Sequence, residues 1–138
     1  MYDLIGDIHG QADELEALLE KLGYRQKDGI YRHESRKVIF LGDFVDRGPH
    51  QRRVFNLVRP MIEASDAYSV MGNHEFNAIS YYTPRNAGGY LRDRSHKNTI
   101  QHRAFLDEFE NAPQEWSETI EWFKTLPLWI DLEGALTR

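Results

Sequence analysis

Three short blocks of glycine, acidic, amide and imidazole residues are the part of this sequence best suited to chemistry. They are Gly-Asp-Ile-His-Gly at 6–10, Gly-Asp-Phe-Val-Asp-Arg-Gly at 42–48 and Gly-Asn-His-Glu at 72–75. Carboxylate and amide oxygens mixed with imidazole nitrogen suit divalent ions such as Mn²⁺, Fe²⁺ or Zn²⁺, and a carboxylate shared by two ions builds a paired-metal site. The blocks therefore predict a metal-dependent phosphoesterase.

Each block is a weak signal alone and a strong one in combination. Asp7 and His9 alternate along an extended segment, so both side chains can face one ion, although such a pair after a strand is more often turn or surface chemistry. Gly42-Asp43 is likewise a common turn dipeptide. Three such blocks, each after an apolar run and separated by room for one crossover helix, are typical of converging ligands.

The apolar runs before the blocks predict the elements that position them. Strands are expected at 2–5, 38–41 and 67–71, with a helix through Leu15, Leu18, Leu19 and Leu22 that ends at Gly23. Residues 24–36 fit a small hairpin, and a helix kinked at Pro60 is expected over 49–64. Because ligands of open α/β sheets lie at the carboxyl ends of strands, the predicted class is α/β.

The second half of the chain is mostly helical in its pattern. Residues 72–75 turn out of the last strand into a segment that can restart as a helix. Residues 81–97 lose periodicity and are interpreted as a mobile excursion. Apolar positions at 100, 104, 105 and 109 predict one helix, and those at 116, 120 and 123 predict another. A strand over 128–132, a turn at 133–134 and a returning strand over 135–138 are expected to follow.

Composition excludes several classes of protein. The chain has 138 residues, no cysteine and a formal net charge of −5, so disulfides, thiolate ligands and general nucleic-acid binding are not expected. No run approaches the roughly 20 apolar residues of a membrane helix, and the N-terminus lacks the layout of a signal peptide. A cytoplasmic protein that does not enter membranes is the simplest expectation.

The three blocks resemble those of the calcineurin-like metallophosphoesterase family, in its bacterial serine/threonine-phosphatase-like and diadenosine-tetraphosphatase-like branch, and they fall in family order over residues 1–75. The resemblance implies a calcineurin-like α/β/β/α sandwich, truncated here to its first sheet plus a helical cap. Residues 1–138 would form one partial domain with a cap-like insert at 76–125. The insert would decide substrate choice or simply pack against the flank, and both interpretations stay open.

The resemblance also implies a metal site. Asp7 and His9 would hold a first ion, Asp43 would bridge two ions and Asn73 would bind the second through its amide oxygen. Mn²⁺ is the expected ion, with Fe²⁺, Zn²⁺, Ni²⁺ and Mg²⁺ as alternatives. With only two protein ligands, the second ion is expected to bind weakly.

Catalytic and substrate-binding roles follow from the same resemblance. Metal-activated water would attack phosphorus, and His74 would protonate the leaving alkoxide while Asp46 orients its ring. Arg47 would clamp the phosphate oxygens, with Asn73 and His74 also contacting the substrate. The structural alternatives are a turn ion pair between Asp46 and Arg47 and an unpartnered His74, and the functional roles are favoured over both.

Other charged residues receive plainer interpretations. Glu75 is expected to be a first-turn acid favoured by the helix dipole. Arg52 and Arg53 fit equally a positive patch for a polyanionic substrate and a solvated helix face. The family pattern needs later histidines that follow strands, and His96 and His102 lack that context, so they are not expected to be ligands.

Two classes of function follow from these observations. The leading one is hydrolysis of a phosphate monoester or dinucleoside polyphosphate, with a phosphorylated small molecule or phosphoprotein as substrate. The alternative is a non-catalytic remnant that binds metal or phosphate and forms homo-oligomers through the exposed sheet. A nuclease fits less well, because the usual pattern of that branch lacks the Asp-Arg-Gly of residues 46–48.

Overall fold

The structure is a computed structural model that describes residues 1–132, in which two sheets and six helices are present. The strands are β1 (Tyr2–Ile5), β2 (Arg25–Lys27), β3 (Ile30–Arg32), β4 (Lys37–Phe40) and β5 (Ala67–Ser69). The helices are α1 (Ala12–Lys21), α2 (Gln51–Glu63), α3 (Asn73–Tyr82), α4 (His96–Gln101), α5 (Arg103–Phe109) and α6 (Pro113–Lys124). Among these residues no helix is both long enough and apolar enough to cross a bilayer.

A parallel sheet of order β1-β4-β5 aligns the three blocks at one edge. Ile5 pairs with Phe40, and Phe40 pairs with Ser69, so the three strands end side by side. The central strand β4 is buried at Val38, Ile39 and Phe40, as its continuous apolar run requires. The α/β class and all three predicted strands are confirmed, and the predicted hairpin is the antiparallel pair β2–β3.

Helix α2 covers the sheet with the apolar stripe expected from its sequence. Val54, Phe55, Val58 and Met61 are buried, and the helix packs against α1, β3 and β5. It begins at Gln51 rather than at Pro49, and it continues past Pro60 to Glu63. This packing fixes the end of β4 relative to α2, and the second block lies in the connection between them.

The second half of the chain corrects one prediction. The single helix expected through residues 100–109 is two helices, α4 and α5, which meet at His102 (φ −104°, ψ 6°). Ile100 is 56% exposed, whereas Phe105 and Phe109 are buried against Phe55, so the apolar positions do not share one face. The predicted helix before Pro127 is confirmed as α6.

The end of the described chain corrects a second prediction. Residues 128–132 form no strand within the described range; Ile130 alone takes part in a β-bridge. The Met71 N–H donates to the Pro127 carbonyl at 2.8 Å, immediately before this segment. Leu128 and Trp129 are exposed, and within the described residues their apolar run is not paired as a strand of the sheet. The expected turn at 133–134 and the returning strand at 135–138 lie outside the described residues.

Candidate active site

The first loop (residues 6–10) and the second loop (residues 42–48) are joined through main-chain atoms. The N–H groups of Ile8 and His9 both donate to the Asp43 carbonyl, at 3.0 and 2.9 Å. Gly10 N–H donates to the Phe44 carbonyl at 2.8 Å, and Gly48 N–H donates to the His9 carbonyl at 2.8 Å. The relative position of the two loops is therefore set by backbone hydrogen bonds.

Glycines let the second loop approach the third loop (residues 72–75). A Cβ atom added to Gly42 would lie 2.2 Å from the Gly72 nitrogen, and one added to Gly72 would lie 2.3 Å from Oδ1 of Asp43. Side chains cannot be placed at such distances. The glycine that opens each of these blocks is thus required for contact between the ends of β4 and β5.

Four residues of the candidate site adopt left-handed backbone conformations. They are His9 (φ 45°), Asp43 (φ 55°), Asp46 (φ 74°) and Arg47 (φ 73°). Aspartate visits this region more readily than most residues, whereas for arginine it is unusual. Strained backbone of this kind concentrates at functional sites, where the surrounding contacts hold it in place.

Asp7 and His9 form the first pair of metal-ligand candidates. Nδ1 of His9 lies 2.8 Å from the Val45 carbonyl oxygen, which can only accept, so Nδ1 carries the proton. The other ring nitrogen, Nε2, lies 3.5 Å from Oδ2 of Asp7. A backbone carbonyl that fixes the tautomer in this way is typical of metal-binding histidines.

Asp43 and Asn73 form the second pair. Oδ1 of Asp43 accepts the backbone N–H of His74 at 2.9 Å. The side-chain amide of Asn73 lies 3.1 and 3.2 Å from the two carboxylate oxygens of Asp43. With its NH₂ group turned to Asp43 the amide donates to the carboxylate; with its oxygen turned there, three acceptor oxygens surround a position suited to a cation.

The donor chemistry of both pairs fits a hard or borderline divalent ion, since it combines carboxylate, imidazole and amide groups. Within residues 1–132, however, no three His, Cys, Asp or Glu side chains gather closely enough to form a metal-binding cluster. Asp7, His9 and Asp43 are therefore not gathered into the three-ligand set that the resemblance implies for the first ion, and their roles as metal ligands stay a prediction.

Asp46 is buried and contacts His74, the predicted acid. Its Oδ2 lies 2.7 Å from Nδ1 of His74, so the ring nitrogen Nε2 is left for other partners. Asp46 forms salt bridges with two histidines, His74 and His102. Within residues 1–132 it forms no salt bridge with Arg47. The alternatives of a turn ion pair and an unpartnered His74 are therefore wrong.

His102 is a partner of this group that the sequence interpretation missed. Its Nδ1 lies 2.6 Å from Oδ1 of Asp46, and its side chain is buried. One signal was available: His102 precedes Phe105, Leu106 and Phe109 at helical spacing, which places it on the buried face of α5. His96, by contrast, is exposed at the start of α4.

A cavity of about 590 Å³ opens beside the predicted acid. Arg47, Asn73 and His74 line one side of it, and residues of α4 and α5, including Ile100 and Arg103, line the other. Arg47 is exposed and has no salt-bridge partner among the described residues, so its guanidinium is available to an anion. The structure thus brings Arg47, Asn73 and His74 to one pocket.

Glu75 has a larger structural role than a first-turn acid. It is fully buried, and its carboxylate accepts the backbone N–H groups of Asp43 (2.7 Å), Phe44 (2.8 Å) and Gly72 (3.0 Å). Burial raises the pKa of this carboxyl, partly offset by the hydrogen bonds from the backbone. Glu75 therefore ties the second loop to the third.

Arg52 and Arg53 do not form a patch at the pocket. Arg52 contacts Glu108 and Glu115 and stacks on Phe109, and Arg53 pairs with Asp13. The positive charges of both arginines are therefore paired with carboxylates of α1, α5 and α6. The interpretation of these arginines as a helix face is the one that the structure supports.

We predict that Gly48→Ala destabilises the site although Gly6→Ala does not. A Cβ at Gly48 would lie 2.1 Å from the His9 carbonyl oxygen, a backbone atom, whereas nothing lies within 4 Å of a Cβ at Gly6. The free energy of unfolding should fall by about 1–3 kcal/mol for Gly48→Ala, as for other overpacked sites. Urea denaturation of both variants measures this, and equal stabilities would contradict the close approach.

Comparison with known proteins identifies relatives of the whole described region. Residues 2–137 match the family described as calcineurin-like phosphoesterase. The bis(5'-nucleosyl)-tetraphosphatase PrpE (asymmetrical) of Oceanobacillus iheyensis is 34% identical over 135 residues, covering 96% of this chain and 52% of that protein. The protein of the same name from Halalkalibacterium halodurans is 50% identical over 74 residues, covering 53% of this chain and 30% of that protein.

A solved structure agrees with the fold. A protein serine/threonine phosphatase from Saccharomyces cerevisiae aligns with a TM-score of 0.58 and 20% identity, covering 92% of this chain and 33% of that one. This likeness concerns the fold alone. The chain spans about half the length of the first of these relatives.

Proposed function

Because the chain belongs to the calcineurin-like phosphoesterase family, we propose that it hydrolyses phosphate esters with the help of divalent metal ions. Asp7, His9, Asp43 and Asn73 would hold these ions, with Mn²⁺ as the first candidate. When bound, such ions activate water and screen the negative charge of the phosphate. The remaining steps rest on residues of the chain itself.

The observation that carries the proposal is the contact of Asp46 with His74 at the wall of a pocket that also contains Arg47. Because Nδ1 of His74 faces the Asp46 carboxylate, a proton on Nε2 is available to the oxygen of a leaving group. Arg47 supplies a planar fork of donors for the non-bridging oxygens of the phosphate.

Dinucleoside polyphosphates are the substrate class that we favour. Two relatives carry the name bis(5'-nucleosyl)-tetraphosphatase. The cavity of about 590 Å³ falls in the range of roughly 300–1,000 Å³ that is usual for small-molecule sites, and it exceeds the needs of a single phosphate group. Its second wall comes from α4 and α5, within the proposed cap at 76–125, which would therefore contact the part of the substrate beyond the scissile phosphate.

The test is metal-dependent hydrolysis by the 138-residue chain. We expect release of aryl alcohol from an aryl phosphate, and faster turnover of diadenosine tetraphosphate, when Mn²⁺ is present, with loss of both after chelation and recovery on adding Mn²⁺. Calorimetry with Mn²⁺ alone, run in parallel, measures ion binding independently of turnover. Mn²⁺ binding with no turnover of either substrate would contradict the proposed activity and favour a non-catalytic metal-binding protein.

A further inference from the structure

Asp46 is shared by two imidazole rings, and only one of them lines the large pocket. His74 contacts Oδ2 at 2.7 Å and lines the cavity, whereas His102 contacts Oδ1 at 2.6 Å from the opposite side. Asp46 and His102 are 4% and 5% exposed. A carboxylate can only accept here, so Nδ1 of each ring donates, and both oxygens of Asp46 are held.

We propose that His102 is a positioning residue, which acts through Asp46 to hold the ring of His74 in the orientation that proton transfer needs. A buried carboxylate with one donor can turn about its Cβ–Cγ bond, but with donors on both oxygens it has one favourable orientation. The Asp46–His74 contact then has a fixed direction. The positioning role of His102 rests on the proposed function of His74. The contact of His102 with Asp46 is independent of that function.

His102 is held as firmly as a positioning residue requires. Its ring stacks on Phe105, with centroids 4.6 Å apart and planes 15° apart, and Tyr81 contacts it edge-on at 5.2 Å. Phe105 in turn stacks on Phe109 in the aromatic core. His102 also lies at the break between α4 and α5, whose neighbouring residues form the wall of the pocket.

A packing role alone does not account for a histidine at this position. Nε2 of His102 is buried and has no hydrogen-bond partner among the described residues, which is costly for a polar atom. Phenylalanine would give the same stacking on Phe105 without that cost. What histidine adds is the Nδ1–H group that contacts Asp46.

The experiment compares His102→Phe, which keeps the ring, with His102→Asn, whose amide N–H can take the place of Nδ1–H. The exposed His96→Asn serves as the control. In proton NMR of the wild-type chain we expect downfield imidazole N–H signals from His74 and His102, in addition to that of His9, whose Nδ1–H donates to the Val45 carbonyl. In His102→Phe the remaining His74 signal should shift and exchange faster with water, whereas His102→Asn and His96→Asn should leave it near its wild-type position. A His74 signal that is unchanged in His102→Phe would overturn the proposal.

Turnover provides a second, separable measurement. We expect kcat to fall about 10- to 100-fold in His102→Phe, as for other partners that orient a functional side chain, with KM nearly unchanged and most of kcat recovered in His102→Asn. Equal kcat in His102→Phe and wild type would contradict the role. If the wild-type chain shows no turnover, the proposed function fails, and the NMR comparison still decides whether His102 controls the His74 contact.

Discussion

Asp43→Asn should abolish metal-dependent hydrolysis while leaving the fold intact. The residue adopts φ 55°, a conformation that asparagine accepts readily, and an amide oxygen can still accept the His74 N–H that now donates to Oδ1. What disappears is the negative charge with which Asp43 would hold the proposed ions. Because metal ions contribute several kcal/mol of charge stabilisation, turnover should fall by at least about 10³-fold.

Asp28→Asn is a matched control for this variant. Asp28 also has φ 55°, but it lies in the exposed turn between β2 and β3. Initial rates with Mn²⁺, together with thermal melting of both variants, separate loss of charge from loss of fold. Retention of even a tenth of wild-type turnover by Asp43→Asn would show that its carboxylate does not hold the ions.

Glu75→Ala should be the most destabilising single change at the site. It would leave three backbone N–H groups without their acceptor and open a cavity between the second and third loops. Since each unsatisfied buried donor costs about 1–3 kcal/mol and water can partly replace the acceptor, we expect a loss of about 3–5 kcal/mol in the free energy of unfolding.

The control for Glu75→Ala is Glu14→Ala, which removes an exposed acid from the first turn of α1. An interaction with the helix dipole alone is worth about 0.3–1 kcal/mol, so this variant should lie close to wild type. Chemical denaturation of both variants gives the comparison. Equal losses would mean that Glu75 acts only as a first-turn acid, as its sequence position suggested.

Because the pKa of Glu75 is raised, the contribution of this residue to the free energy of unfolding should depend on pH. Above the ordinary value of 4.5 the unfolded chain loses this proton first, while the folded chain retains it up to its higher pKa. The folded state therefore binds more protons in that window, and the contribution of Glu75 to stability declines as the pH rises through it. The stability of wild type minus that of Glu75→Gln should decline over the same window, and a rise would contradict the assignment.

The positions of the three blocks were predictable because a buried strand is visible in the local sequence as an apolar run. Residues 38–41 form an apolar run that ends at glycine, and in the structure β4 ends at Phe40 with the second loop directly after it. The Asp46–His74 contact was available only from the family resemblance, since the two residues come from different loops.

Other features could not be obtained from local pattern. The break at His102 requires knowledge that Ile100 faces the pocket while Phe105 faces the core, which is a property of tertiary packing. The partners of Arg52 are glutamates on α5 and beyond, more than 50 residues away in the chain. An acid at position 75 is already explained by the start of α3, so nothing in the sequence indicated that Glu75 is buried and accepts three backbone N–H groups.

The backbone hydrogen bonds between the first and second loops have a consequence for how such a site can change. The N–H groups of Ile8 and His9 and the carbonyl of Asp43 hold the first loop against the second, and these hydrogen bonds use main-chain atoms only. Mutation can therefore exchange one ligand for another, and so alter which ion is preferred, without altering the spacing of the two loops. Ion preference and site geometry are free to evolve separately, and an engineer could vary one while the other is conserved.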